Sequence, residues 1–436
     1  MDLHPLTALF AFLLVAWLGT HLWLVTRQMR RVARHAHEVP AAFAGTVKPE
    51  SHRRAAQYTL AKGQLDVVAS AWSAVLLLGW TLLGGLDALN AALQGLMPAG
   101  APAWVTGLGY QLLLLAAFGV VAGLLDAPFS LYRTFVLEQR FGFNRTTWKL
   151  YLTDALKGLA VGAALGLPIA ALVLWLMAAA GPMWWAWAWA AWMGFNGLLL
   201  VLYPTVIAPL FNRFEPLAEG ELRSRVEALM ARCGFATSGL FVMDGSRRSA
   251  HGNAYFTGLG AAKRVVFFDT LLAKLNADEV EAVLAHELGH YRHRHVLKRV
   301  LLMAAVSGVG FALLGWLSSR LWFYAALGVQ PSVALPNDAL ALILFTMVVP
   351  LAGYFLSPLF SRLSRRHEFQ ADAFAAAQSR PGALASALVK LHQDNASTLT
   401  PDPVYAGFHY SHPPASERLA ALAALGANTA GGLRTA

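Results

Sequence analysis

Two histidines four residues apart, with a glutamate between them, carry the strongest chemical signal in this sequence: His286-Glu287-Leu288-Gly289-His290. Residues four apart on an α-helix share one face, with Cβ atoms about 6 Å apart. Two imidazoles so placed can both reach one zinc ion at about 2.0–2.1 Å. Glu287 falls about 100° further round the helix, beside such a site rather than in it, where it can act as a general base on water. The flanking residues supply the helix. Asn276 and, three residues on, Glu279 form a capping box, and Leu275 with Val280 forms the accompanying hydrophobic staple. Val280, Val283, Leu284 and Leu288 make an apolar stripe. Gly289 costs about 1 kcal/mol of helix propensity relative to alanine, which points to a close approach by another element.

The pattern alone is weak, because a histidine-rich helix matches it by chance and a catalytic zinc needs a third protein ligand and an open position. The longer zinc motif with a downstream glycine and third histidine fails, since those places hold His293 and Val296. His293 lies near the stripe of His286 and His290, whereas His295 points elsewhere; both read as solvated or headgroup-facing. Glu368 is the better third ligand, in Arg365-Arg366-His367-Glu368-Phe369-Gln370-Ala371-Asp372. Asp372 follows one helical turn later on the same face, where it can accept from a ligand imidazole and fix its tautomer.

The elements that position these groups lie in a membrane. The chain has 436 residues, 57% of them hydrophobic and 13% charged, with a mean hydropathy of +0.50, whereas a soluble protein carries about 25% charged residues. Its formal net charge of +10 reads as basic cytoplasmic loops rather than a nucleic-acid surface. A single cysteine, Cys233, excludes an internal disulfide and reads as a small buried hydrophobe. Seven stretches approach the ~20 apolar residues a span requires: 6–26, 67–86, 105–125, 158–180, 184–203, 300–321 and 340–360. Lysine and arginine crowd alternate connections: they are dense at 27–62, absent from 87–104 and dense again at 133–157. That alternation predicts an N-terminus outside, with the zinc helix and C-terminus cytoplasmic. Domain boundaries follow: five spans with their loops over 1–203, an α/β insert with the zinc helix over 204–299, two spans over 300–360, a helical part supplying Glu368 over 361–428, and a disordered tail over 429–436. Within the insert, 219–233 reads as an amphipathic helix, 240–243 and 264–268 as strands, and 253–257 as an edge strand.

Several blocks resemble the type-1 CAAX prenyl proteases: 138–144 (Glu-Gln-Arg-Phe-Gly-Phe-Asn), 203–216, 244–256, the zinc helix, the Glu368 run, and His409-Tyr410-Ser411-His412-Pro413-Pro414. The resemblance implies a polytopic, mainly α-helical fold with seven transmembrane helices around an intramembrane chamber, and a small α/β zinc-protease domain on the cytoplasmic side. It implies one zinc ion held by His286, His290 and Glu368, with Glu287 catalytic. It also implies a substrate-binding edge at Asn253, Ala254 and Tyr255, to which an extended peptide adds as a strand, and a histidine, His412, near the zinc, where an N–H donor stabilises an oxyanion. Arg418 either pairs with an active-site carboxylate or sits on a helix surface. The implied partners are a peptide or protein substrate, prenylated or not, and the lipid bilayer; no nucleic acid is expected, and the chain is expected to act as a monomer. Short loops and an alanine-rich, nearly cysteine-free composition point to a bacterial homologue in an inner membrane, where the substrates would be other membrane peptides.

Three rivals are weaker. An intramembrane site-2-type protease puts its zinc motif in a span, yet Arg292, Arg294, Lys298 and Arg299 follow this one. A four-span heat-shock-type membrane protease lacks five preceding spans. A non-catalytic membrane scaffold does not explain Glu287 beside a complete ligand set.

Overall fold

A computed structural model describes residues 4–432 apart from 99, 101, 236–238, 258–263 and 333–334, with side chains described to Gly426. In chain order the helices are α1 (Pro5–Arg34), α2 (Pro49–Trp80), α3 (Gly85–Gly95), α4 (Tyr110–Tyr132), α5 (Trp148–Ala179), α6 (Trp184–Leu202), α7 (Ala208–Phe211), α8 (Glu221–Arg232), α9 (Asp269–Leu272), α10 (Ala277–Arg292), α11 (His295–Ser318), α12 (Leu321–Ala325), α13 (Asp338–Tyr354), α14 (Ser357–Gln378), α15 (Ala383–Asp394), α16 (Pro403–His409) and α17 (Ala415–Gly432). Wider π-helical turns flank α4, at Val105–Gly109 and Arg133–Glu138, and another follows α6 at Tyr203–Ile207.

Six of these rods are long and apolar enough to cross a membrane, or seven if α13 and α14 count as one bent span. The helices outrun the apolar windows that announce them, because hydropathy marks only the part that must lie in hydrocarbon. Thus α1 continues to Arg34 and α2 begins at Pro49. Two windows are placed differently from expectation. The second, 67–86, stops at Trp80, and Gly84 turns the chain with a left-handed φ of 79° into α3. The seventh, 340–360, breaks between α13 and α14 with a 66° bend. Pro358 in the first turn of α14 suits a helix start and cannot continue the one before it. The final helix continues to Gly432, where a disordered tail is expected from 429; residues 433–436 lie outside the described residues.

A four-stranded sheet sits beside α10. Its strands are β1 (Phe214–Pro216), β2 (Leu240–Met243), β3 (Ala254–Thr257) and β4 (Arg264–Phe268), in the order β1-β2-β4-β3. β2 and β4 run parallel in the centre, and β1 and β3 are antiparallel edges. The two central strands and the β3 edge match the sequence reading; β1, three residues long and ending in a proline, carries too little pattern to be foreseen.

Two large apolar cores result, one in the membrane half and one peripheral, beside two small clusters around Tyr58 and Phe43. One lies among the membrane helices around Phe10, Tyr110, Leu174 and Leu344. The other joins α8, the sheet, α10, α14 and α15 through Leu229, Phe267, Leu284, Ala375 and Leu388. Charged clasps tie the halves together. Arg248 forks onto both oxygens of Asp154 in α5, at 2.8 and 3.0 Å. Arg27 of α1 forks onto Asp402, the cap of α16, at 3.2 and 3.1 Å.

Candidate metal centre

The zinc-type helix forms as its sequence dictates. Asn276 Oδ1 accepts from the Glu279 N–H at 3.0 Å, and Glu279 Oε2 accepts from the Asn276 N–H at 2.9 Å. Leu275 and Val280 are both buried in the peripheral core. Gly289 shows why no larger residue stands there: a Cβ would lie 2.8 Å from Cα of Ala371 and 3.2 Å from Cβ of Phe374. α10 and α14 therefore cross backbone to backbone, and Glu368 on α14 reaches the face that bears His286 and His290.

The three side chains converge. Nε2 of His286 and Nε2 of His290 are 3.2 Å apart. Glu368 Oε2 lies 3.4 Å from the first and Oε1 3.3 Å from the second. A tetrahedral ion with bonds of about 2.0–2.1 Å sets its ligands about 3.3 Å apart, so this triangle has the size of one face of such a site. The protons agree. His286 Nδ1 is 2.8 Å from Asp372 Oδ1, and an ionised carboxylate only accepts, so Nδ1 carries the hydrogen and Nε2 presents its lone pair. Glu368 Oε2 is buried without a hydrogen bond of its own. Unpaired acceptors gathered out of water are costly, and a cation is what they lack. The residues present fit a bound metal.

His290 is fixed by a partner that sequence reasoning set aside. Its Nδ1 is 3.0 Å from Nδ1 of His295, whose Nε2 is 2.9 Å from Oε1 of Gln370. With Nε2 of His290 turned to the ligand triangle, the chain of donors runs from His290 to His295 to Gln370. His295 is 1% exposed and stacks on His367 with ring centroids 3.9 Å apart, so the solvated reading of it is corrected. On an isolated helix His295 points away from the ligand face; the break at His293 and Arg294, the latter at φ 55°, folds it back. His293 itself is exposed, as expected.

The alternatives left open for Arg418 are settled in favour of pairing. It is 6% exposed, and its Nε and Nη2 donate to Asp372 at 2.8 and 2.5 Å. Its Nη1 lies 3.8 Å from Glu368 Oε2. Asp372 thus has a cation behind it and an imidazole in front. His412 Nε2 stands 3.4 Å from Glu368 Oε1, with its side chain 65% accessible. Burial pushes the Glu287 carboxyl above its ordinary pKa, against the pull of the neighbouring imidazoles.

One side of this centre opens on a cavity of about 740 Å³. His286, Glu287, His412 and Arg418 border it, as do Asn253 and Ala254 of the β3 edge. Tyr255 does not border it. Strand alternation turns its ring onto Phe268, at a centroid distance of 6.2 Å, and its hydroxyl toward Met243. From the membrane side, Lys62, Asp66 and Arg133 line the same space.

Comparison with known proteins agrees with this geometry. Residues 28–213 match the model of the CAAX prenyl protease N-terminal region, five membrane helices, and residues 216–425 match peptidase family M48. A rice (Oryza sativa subsp. japonica) CAAX prenyl protease 1 homologue is 33% identical, over 97% of this chain and 98% of that protein. CAAX prenyl protease 1 of Saccharomyces cerevisiae is 32% identical, over 94% and 93%. The crystal structure of S. mikatae Ste24p superposes with a TM-score of 0.87 at 30% identity, covering 97% of this chain and all of that one.

The chain belongs to the CAAX prenyl protease 1 family.

As a member of that family it is an integral-membrane zinc metalloendopeptidase, built of membrane helices and a small sheet-containing peptidase domain. Its substrates are peptides, and the bilayer is its solvent. The structure brings His286, His290, Glu368, Asp372, Arg418 and His412 together, and Asn253 and Ala254 border the same cavity as His286 and Glu287, whereas the side chain of Tyr255 turns away. His295 and Gln370 were missed because nothing in their local spacing marks them.

Proposed function

We propose that this protein hydrolyses peptide bonds near the C-termini of membrane-associated peptides, prenylated ones included, at a zinc ion held by His286, His290 and Glu368. The observation that carries the reading is the convergence of three metal-ready acceptor atoms beside a cavity also bordered by β3, an edge strand of the sheet among the described residues. The names of the relatives extend it to CAAX-type peptides.

Zinc, when bound, supplies Lewis acidity that polarises a carbonyl and makes water a better acid. The chain's own residues do the rest. An extended peptide pairs with the backbone of β3 through Asn253, Ala254 and Tyr255, which asks little of its sequence. Glu287 takes the proton of the attacking water and delivers it to the leaving amine. Acid–base help of this kind is worth about 10²–10⁴-fold. His412, exposed on the cavity, donates from Nε2 to the oxygen that becomes negative. Asp372 holds the His286 Nδ1 proton, and Arg418 keeps Asp372 ionised and in place. The protein works as a monomer with its N-terminus outside and the metal centre on the cytoplasmic side, in a bacterial inner membrane; the alternation of basic loops and the alanine-rich composition support this placement.

Two substitutions separate the roles. Glu287→Gln is expected to keep one zinc per chain and lose cleavage of a farnesylated CAAX peptide; chelator-sensitive turnover in that variant refutes the assignment. Glu368→Ala is expected to lose the zinc itself, and an unchanged metal content by elemental analysis sinks its place as a ligand. Mass spectrometry of products from farnesylated and unfarnesylated peptides reads the prenyl requirement directly.

A further inference from the structure

We propose that Lys62 and Arg133 form a subsite for the free α-carboxylate at the C-terminus of the peptide substrate. The inference rests on the protease reading above and names the substrate group that the membrane wall of the cavity recognises.

The two cations come from different membrane helices, Lys62 from α2 and Arg133 from the π-helical turn after α4. Both line the cavity that His286, Glu287, Asn253 and Ala254 border. They are close enough for their charges to act on one another. Among the described residues neither makes an ion pair or a hydrogen bond; Lys62 has only the face of Tyr58, with Nζ 4.5 Å from the ring centroid. The carboxylates nearby have other hydrogen-bond and ion-pair partners, although Glu138 also offsets part of the Lys62 charge. Glu138 Oε1 accepts from the Tyr58 hydroxyl at 2.5 Å, and its Oε2 lies 3.6 Å from Nε2 of His251. Asp66 lies 3.2 Å from His21. Glu138 is a single carboxylate acting on a group that holds two cations, so the wall keeps a net positive charge that a further anion can offset. A carboxylate that meets both gains charge-assisted hydrogen bonds, bidentate on the arginine.

The placement of the pair along the strand edge points to which anion. Glu138 links the Lys62–Arg133 group to His251, and His251 precedes Ala254 by three residues. A peptide that adds antiparallel to β3 runs its C-terminal end from Ala254 past Asn253 and Gly252 toward His251. Three extended residues span about 10 Å on either strand, so a peptide with three residues beyond Ala254 ends opposite His251, whose Nε2 faces the Glu138 carboxylate that also acts on Lys62. Tyr58, Glu138 and His251 then act as a brace: they fix α2 and the turn after α4 against the approach to β3, and so hold the charge pair in register with the edge.

The test uses four peptides, farnesylated and unfarnesylated, each as the free C-terminal acid and as the C-terminal amide, with the full-length zinc enzyme in detergent. The wild-type protein is expected to cut the acid about 10- to 100-fold more efficiently than the amide, through KM rather than kcat. The Lys62→Met/Arg133→Gln double variant is expected to cut acid and amide alike, at the rate the wild type shows for the amide; that retained amide rate reports an intact fold. Equal wild-type efficiency on acid and amide overturns the subsite, as does a preference that survives in the double variant. A double variant that loses amide cleavage as well shows a structural role for the pair and also overturns it. Wild-type failure on all four peptides removes the protease reading itself and this inference with it.

Discussion

The peripheral core and the membrane half are built to opposite rules. In α10, nine of the sixteen residues are buried, His286 among them with His290 half-buried beside it, and Gly289 lets a second helix touch its backbone. In α4, a longer helix, only Tyr110, Gln111 and Leu114 are buried. Of the rest of α4, Leu112, Leu115, Ala117 and Phe118 pack only partly buried against the membrane core. Packing to crystal-like density fixes side chains to fractions of an ångström, which a metal centre demands. Membrane helices need only hide their own backbones, so they can stand apart and enclose a cavity. The machinery of bond cleavage therefore sits in the packed half, and the room for a substrate lies against the loose half.

The contrast can be broken from its strongest point outward. Asp372→Ala removes the partner of a buried guanidinium and of His286 together. Leaving a buried charge uncompensated costs about 3–5 kcal/mol, so thermal unfolding of the solubilised protein is expected to fall steeply and zinc to be lost. A stable, zinc-loaded variant contradicts the account of Arg418. Next in size, Leu284→Ala, at a site 1% exposed, is expected to cost about 2–5 kcal/mol. Val309→Ala, 71% exposed on α11, is expected to change stability by less than about 0.5 kcal/mol. Similar losses at both sites erase the distinction between the halves.

His295→Ala tests whether the fit around the metal extends beyond the ligands. Loss of such an outer partner typically weakens metal binding about 10–100-fold, readable by competition with a chelator. An unchanged affinity reduces His295 to packing. The smallest effect belongs to the N-terminal cap of α10. Burial raises the Glu279 carboxyl, but Lys390, Ser386 and the Asn276 N–H outweigh it and hold the group below its ordinary pKa. A depressed acid contributes stability above the unfolded value of about 4.3, and loses it as pH falls through the folded value. Lys390→Met is therefore expected to cost about 1 kcal/mol or less near neutral pH, and nothing once the carboxyl is protonated in both states. A penalty that grows below pH 4 has the wrong sign.

What the sequence determined by itself is local. The capping box, the staple, the four-residue spacing of His286 and His290, the two central strands and the apolar windows are short-range patterns, and short-range sterics and hydrogen bonding realise them wherever the chain goes. Residue type and helical spacing named Glu368 and Asp372 as candidates, and the family resemblance added His412; spacing could not join them to the zinc helix, since tens of residues separate them from it. The tertiary structure decided the rest. It bent the seventh window so that α14 leaves it and delivers Glu368, and it buried Arg418 behind Asp372. It folded His295 back under His290, turned Tyr255 onto the sheet, and set Lys62 and Arg133 on the same cavity as the metal centre. Each of those outcomes depends on two or more elements meeting at a distance of a few ångströms. No periodicity along one element encodes such a meeting; it is fixed only when the halves close on each other.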